Sequence, residues 1–405
     1  MHIPTITRNS KLFPIVLAIF AALPPLAINT YAPAIPLIAN SFNVTDSDVL
    51  ATFTTYFIGF SFGMLFWGAV SDKYGRKNII LIGTIIYVIS TILCSLSTSF
   101  KMLELLRLIQ GLSDSVGGVI AFSIARDCYK GHKLTSMIAT IIIIMLVAPI
   151  VAPIIGTVLT YTTNTWQSSF HFLTLYGVIL LIFALMIEET LNKDDRQKSI
   201  KELIPSYFSH FKNPGFMLAT IASGMAWTAL FMYIASASII YLKIYNTGPI
   251  LYCIYYAAAV IASIMANLLI KRLSSRVNNL RYTNISISLL IICCLGLFIV
   301  SKLNLDNAIN YTIFMCILCL SVSFTCTILY SFSMNVVSHN FGTANSISNF
   351  LKNMIAGGGA LVISYYHGSI LVNIVSFYQL LFIILCMLLV LAIYQLKIKT
   401  SIDED

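Results

Sequence analysis

The sequence predicts an all-α polytopic membrane protein, with twelve transmembrane helices grouped in two six-helix bundles, and three observations carry that expectation. The 405 residues are 58% apolar and only 10% charged, with a mean hydropathy of +0.89, which leaves too little polar surface for a soluble protein. About twelve apolar stretches reach the roughly 20 residues that a hydrocarbon core requires. The cationic residues, finally, gather on one side of those stretches.

The spans run over 13–33, 47–71, 78–98, 101–124, 134–160 and 168–187, then 215–241, 249–270, 281–301, 309–333, 342–366 and 372–396. Arg8 and Lys11 precede the first span, but no strong small-x-small cleavage site follows, so it reads as a retained helix and not as a secretory leader. Pro24 and Pro25 remove two backbone donors within it and are expected to break or kink it. Span 2 holds Gly59 and Gly63, a spacing that admits close helix contact. It ends in Gly68, Asp72, Gly75, Arg76 and Lys77, where the apolar run stops and a tight turn at Gly75 is followed by anchoring cations. Span 4 carries Glu104, Arg107, Gln110 and Asp114 and closes on Arg126 and Asp127, while span 5 carries Pro149, Pro153 and Gly156.

Residues 188–213 mix Glu188, Glu189, Asp194 and Asp195 with Lys193, Arg196, Lys198 and Lys201, and read as a cytoplasmic linker between bundles at 1–187 and 214–405. Span 7 carries Trp227, Phe231 and Tyr233. Tyr241, Tyr245, Tyr252, Tyr255 and Tyr256 cluster around the outer ends of spans 7 and 8, as an interfacial aromatic belt would. Span 11 contains Lys352, about 15 Å along the helix and so near the midplane, with Gly357, Gly358 and Gly359 beyond it.

Of the 24 Lys and Arg residues, all but Lys101, Lys243, Lys302 and the in-span Arg107 and Lys352 lie with the termini and the even-numbered loops. The positive-inside rule therefore predicts both termini in the cytoplasm. A missed span would invert every later loop and erase this bias. The net charge of +9 follows from topology and calls for no nucleic-acid partner. The nine cysteines sit almost all within apolar spans, and the pair Cys316 and Cys319 has no second pair at zinc-binding spacing. The six histidines show no ligand pattern, so no metal or cofactor is expected. Without a Walker A sequence ATP drive is not expected, and no paired catalytic acids or Ser-His arrangement suggests an enzyme.

An ionisable group within the membrane costs roughly 2.5–3.5 kcal/mol on insertion scales and is by default a functional candidate. Arg107 and Asp114 share one helix face about 10 Å apart, with Gln110 and Gly111 between them, a polar stripe suited to a cavity wall. Arg107 reads as a cavity residue or as a clamp to Glu104. Asp114 reads as a titrating carrier or as a structural acceptor for neighbouring hydroxyls, and Lys352 as a ligand group or a snorkelling one. Tyr56, Trp227, Phe231 and Tyr233 suit either an aromatic wall for an amphipathic ligand or plain packing.

The halves also repeat: Lys271, Arg272, Ser274 and Arg276 end span 8 as the Gly68–Lys77 segment ends span 2, with the acid and the glycine lost. The pattern Gly68, Asp72, Gly75, Arg76, Lys77 resembles the loop signature of the major facilitator superfamily. Four further segments resemble its Bcr/CflA drug/proton antiporter subgroup: Tyr31 to Pro36, Arg107 to Gly111, Ala148 to Gly156, and Gly342 to Asn345. The resemblance implies a proton-coupled secondary transporter that exports small amphipathic compounds by alternating access. Its setting would be the bacterial inner membrane, as a monomer, with substrate, protons and lipid as partners.

Residues and resemblance together give the expected site. Asp114 and Arg107 couple protons. Asn29, Tyr56, Arg107, Gln110, Trp227, Phe231, Tyr233 and Lys352 bind substrate. Gly68, Asp72, Gly75, Arg76, Arg126, Asp127, Pro149, Pro153 and Gly156 gate, with Asp72 latching the outward-facing state through Arg126 and a nearby helix N-terminus. Two departures stand out, Asn29 where the subgroup usually carries an acid and Lys352 where it commonly carries a glutamine. Both make the site more cationic and favour a second reading, export or uptake of an anionic or zwitterionic metabolite or siderophore. A non-transporting membrane sensor is a third, disfavoured by short loops and brief tails.

Overall fold

The computed structural model describes Ile6, Ser10 and residues 12–191, 208–277, 280–337, 341–366 and 370–396. Most of the linker expected at 188–213 lies outside the described residues, as do Arg8, Lys11, Lys397, Lys399 and the side chains of Lys271, Ser274 and Arg276. The helices are α1 (Phe13–Tyr31), α2 (Ile35–Phe42), α3 (Asp46–Tyr74), α4 (Arg76–Ser95), α5 (Phe100–Cys128), α6 (Gly131–Thr163) and α7 (Gln167–Met186). They continue as α8 (Pro214–Ile239), α9 (Pro249–Val277), α10 (Leu280–Lys302), α11 (Ala308–Asn335), α12 (Phe341–Ser364) and α13 (Leu371–Gln395). A single isolated bridge, Ile6 to Ile187, is the only β pairing among the described residues.

Eleven helices among the described residues are long and apolar enough to cross a membrane, α1 and α2 counting as one stretch from Phe13 to Phe42. The twelfth expected span is α12, 24 residues long. Asn345, Asn349, Lys352 and Asn353 depress its apolarity. Polar caps fix several ends: Ser99 accepts from the Met102 amide at 3.3 Å, and Asn213 from the Phe216 amide at 3.1 Å. Gly75, at the joint between α3 and α4, has φ 95°, a region L side chains rarely adopt, and so makes the sharp reversal possible.

Pro24 and Pro25 do not break α1, which runs through both. Losing the Pro24 donor frees the Phe20 carbonyl, and that oxygen faces the backbone of Gly117 on α5, so close that a Cβ there would stand 2.3 Å from it. A Cα–H···O contact of this kind partly replaces the lost bond. The interruption falls later, in a 3₁₀ turn at Ala32–Ala34 led by Pro33.

The chain divides into two compact units, Met1–Val44 with Thr55–Leu203, and Thr45–Thr54 with Ile204–Asp405. The sequence division leaves Thr45–Thr54 in the first bundle. In the structure this segment is held in the second unit by an Asp46–Lys243 ion pair at 2.6 Å and a Thr54 hydroxyl donating to the Gly357 carbonyl at 2.9 Å.

Within the first unit α1 packs on α5, α6 and α7, and α4 on α5 and α7. Within the second, α8 packs on α11, α12 and α13, and α10 on α11 and α13. These pairings correspond, α1 to α8, α4 to α10, α5 to α11, α6 to α12 and α7 to α13, so the repeat read from the sequence is also a repeat of packing. Backbones in the first unit approach closely: a Cβ on Gly59 would fall 1.9 Å from the Leu108 carbonyl oxygen, and one on Gly111 2.0 Å from that of Tyr56.

The tyrosines read as an interfacial belt are instead largely interior. Tyr241, Tyr252 and Tyr256 are buried and join Tyr233 and Tyr311 in a group of ring contacts, with Tyr233 stacked on Tyr256 at 5.7 Å. The period of a helix places tyrosines on a face but does not say whether that face meets lipid or another helix. Here it meets α11, through Tyr311.

Candidate functional site

The first polar cluster is built on α5. A residue every three or four positions returns to one helix face, and Arg107, Gln110 and Asp114 are placed in that way on the face turned into the unit. All three are completely buried. The Arg107 guanidinium lies between two aromatic rings, with its Cζ 4.4 Å from the Tyr31 centroid on α1 and 4.4 Å from that of Tyr56 on α3. Its Nη1 donates to Gln110 Oε1 at 2.6 Å, and Gln110 Nε2 donates to Thr91 Oγ1 on α4 at 2.9 Å. Its Nε and Nη2 have no hydrogen-bond partner among the described residues.

Asp114 accepts a hydrogen bond from the Tyr56 hydroxyl through Oδ2, while its Oδ1 is buried and unpartnered. Arg107 and Asp114 form no ion pair. Tyr56 connects them, presenting its face to the cation and its hydroxyl to the carboxylate. Each cation–π contact is worth about 0.5–2 kcal/mol, less than the several kcal/mol that desolvating an ion costs. The cluster therefore keeps unspent hydrogen-bonding capacity on both charges. Glu104 is not bonded to Arg107, so the clamp at i−3 does not form. The Arg107 side chain is committed instead to the tyrosine rings and Gln110. Asn29 is buried on α1 and its Nδ2 donates to the Pro25 carbonyl at 2.7 Å.

Sequence reasoning missed three members of this cluster. Tyr31 was visible only as part of a proline-containing segment, Thr91 carried no signal at all, and Tyr87, buried on α4, looked like any span tyrosine.

At the end of the unit where α3, α4, α5 and α7 meet, Arg76 is the hub. Its Nε donates to Asp127 Oδ2 at 2.9 Å, its Nη1 to Ser71 Oγ at 2.6 Å and to Asp72, and its backbone amide to Glu189 Oε1 at 2.9 Å. Lys77 donates to the Leu185 carbonyl at 3.0 Å. The expected latch of Asp72 through Arg126 is not formed in this structure. Asp72 pairs with Arg76 one helical turn away in sequence, and Arg126 is exposed, reaching among the described residues only Ser123 Oγ at 3.4 Å. Gly68 has only Val119 Cγ1 near its Cβ position, at 3.6 Å, whereas a Cβ on Gly156 would stand 2.4 Å from the Thr30 carbonyl oxygen. Pro149 and Pro153 lie inside an unbroken α6.

The second unit holds a separate group. Lys352 Nζ on α12 sits over the Trp227 ring of α8, 5.1 Å from its centroid, and Trp227 contacts Phe231 at 5.4 Å. Tyr233 is not part of it and belongs to the buried tyrosines. No group of His, Cys, Asp and Glu among the described residues is arranged to hold a metal ion, and all nine cysteines are free thiols.

The family described as Major Facilitator Superfamily matches residues 17–360. Among curated relatives, the uncharacterized MFS-type transporter YdgK of Bacillus subtilis is 28% identical over 354 residues, 87% of this chain and 88% of its own. A bicyclomycin resistance protein homolog of Haemophilus influenzae is 26% identical over 301 residues, 74% of this chain and 75% of its own. Among solved structures, a bacterial homolog to the human lysosomal transporter Spinster, in an inward-facing and unoccupied conformation, superposes with a TM-score of 0.70 at 13% identity. It covers 95% of this chain and 96% of its own, a likeness of fold.

Proposed function

The chain belongs to the Major Facilitator Superfamily, a family of membrane transporters and not of enzymes, and from that premise we propose that it exports small amphipathic compounds against an inward flow of protons. The single observation behind this reading is the buried pair Arg107 and Asp114, joined through Tyr56 and not to each other. The relative named for bicyclomycin resistance supports a drug-like cargo. The setting proposed is the bacterial inner membrane, with both termini cytoplasmic, as a monomer and without a cofactor.

Asp114 is the proton site. As a carboxylate it accepts the Tyr56 hydroxyl. As a carboxylic acid it needs that bond less and can itself donate, so the hydroxyl is released. Because the same ring lies against Arg107, a change at Asp114 is felt by the guanidinium without contact between the two charges. Arg107 then presents its unpartnered Nε and Nη2 to substrate in one protonation state and withholds them in the other. Arg76 with Asp72 and Asp127 holds the ends of α3, α4 and α5 together while alternating access proceeds.

The test is transport into everted vesicles energised by respiration. Accumulation of a fluorescent amphipathic compound should collapse on adding a protonophore, and Asp114→Asn should show no such dependence. Accumulation indifferent to the protonophore in the unsubstituted protein removes proton coupling.

A further inference from the structure

We propose that the second unit carries a binding site for an organic anion, with Lys352 and Trp227 as its head-group contacts and Phe231 as its apolar wall. The inference rests on the transporter reading above and names the substrate class that this reading leaves open.

Lys352 lies half way along α12 and is packed against α8, where the Gly224 Cβ position comes within 3.4 Å of its Cα. Among the described residues no carboxylate pairs with it, and Trp227 is its cation–π partner. The neighbouring Cys326 donates its thiol to the Ser223 carbonyl at 3.5 Å and so is not a thiolate counter-ion. Lys352 is half-buried, and the cation–π contact leaves all three of its N–H donors free for a bound anion.

A second, independent observation points the same way. The indole N–H of Trp227 is buried and has no hydrogen-bond partner among the described residues. Tryptophan N–H groups usually find an acceptor when buried, so this is a second unused donor on the same ring. Lys352 and the indole N–H are both donors only. A protonated amine or other cation gives them nothing to bond, whereas a carboxylate or sulfonate accepts from both. The ring of Phe231 beside Trp227 suits an aryl or alkyl body. The asparagines one turn apart on α12 are satisfied within the helix, Asn349 Nδ2 by Asn345 at 2.9 Å and Asn353 Nδ2 by the Asn349 carbonyl at 2.8 Å. The ligand's charge is therefore met by Lys352 and Trp227.

Trp67 and Trp166 are the other two tryptophans, so the double variant Trp67→Phe, Trp166→Phe leaves Trp227 as the sole tryptophan in the full chain, excited selectively over tyrosine. The purified protein is titrated with three nitroaromatic quenchers of one shape, 4-nitrobenzoate, 4-nitrobenzamide and 4-nitrobenzylammonium. The anion should quench saturably and bind about 10- to 100-fold more tightly than the amide, the worth of a hydrogen bond to a charged group. Lys352→Gln should abolish that preference and Lys352→Arg should keep it. Should Lys352→Gln fail to fold, the ratio of the three probes on the parent, and its retention in Lys352→Arg, decide alone. Equal affinities, or tighter binding of the ammonium probe, overturn the proposal. Anion binding in a protein whose transport ignores a protonophore would refute proton coupling and leave this site standing. Proton-driven export of the ammonium probe without anion binding would do the reverse.

Discussion

Gly156→Ala adds one methyl group where the structure has no room for it. The new Cβ would stand 2.4 Å from the Thr30 carbonyl oxygen and 3.0 Å from its carbon, both backbone atoms of α1. Ordinary contact begins at roughly 3.5 Å, so α1 and α6 must part by about 1 Å. Overpacking of this kind costs about 1–3 kcal/mol. For a unit of this size each kcal/mol moves the melting temperature by roughly 2–4 °C, which gives a fall of about 2–12 °C. Thr30 precedes Tyr31, one of the two rings on Arg107, so the same displacement loosens half of the aromatic sandwich. With a cation–π contact worth about 0.5–2 kcal/mol, transport should fall by about 2- to 30-fold. The assay is a thermal-shift measurement in detergent together with vesicle transport. Gly118→Ala is the control, because nothing lies within 4 Å of its Cβ position and alanine is the better helix former by about 1 kcal/mol. If Gly156→Ala melts and transports as Gly118→Ala does, the α1–α6 contact is not what sets the Arg107 geometry.

Asp114→Asn should retain exchange of labelled for unlabelled substrate while losing net proton-driven accumulation, as compared in counterflow and gradient-driven assays. Tyr56→Phe keeps the ring on Arg107 but removes the only hydrogen bond to the Asp114 side chain among the described residues, which leaves a buried acceptor unpaired at about 1–3 kcal/mol. The pH profile of transport should move in that variant, while Tyr56→Leu, which also loses the ring, should transport about 2- to 30-fold more slowly still. Arg76→Lys keeps a charge but not the fork that serves Asp127, Asp72 and Ser71 at once, and should lower the melting temperature. Arg126→Ala should not, and equal losses in the two would restore the Asp72–Arg126 latch.

The spans were legible because hydrocarbon imposes length and apolarity on every one of them. The repeat was legible at the ends of spans 2 and 8 and is clearer in packing than in residues. The stripe Arg107, Gln110, Asp114 could be read because it lies on one helix. Its partners could not, since Tyr31, Tyr56 and Thr91 come from three other helices and periodicity within a segment carries no information about which helix it meets. The same gap explains the buried tyrosines taken for an interfacial belt. It also explains Asp72, whose partner among several nearby cations is decided by side-chain direction. Lys352 was legible as an anomaly, but Trp227 as its neighbour needed the contact between α8 and α12.

The close approaches at Gly59, Gly63, Gly111, Gly117 and Gly156 set opposing limits on how this chain can vary. At each, a single added methyl group would meet a carbonyl or hydroxyl oxygen at 1.9 to 2.4 Å. Large apolar residues on the outer faces, such as Ile143 and Ile292, meet no such wall. Saturation mutagenesis should therefore give an inverted tolerance map, in which the smallest side chains are the least replaceable and the bulkiest the most.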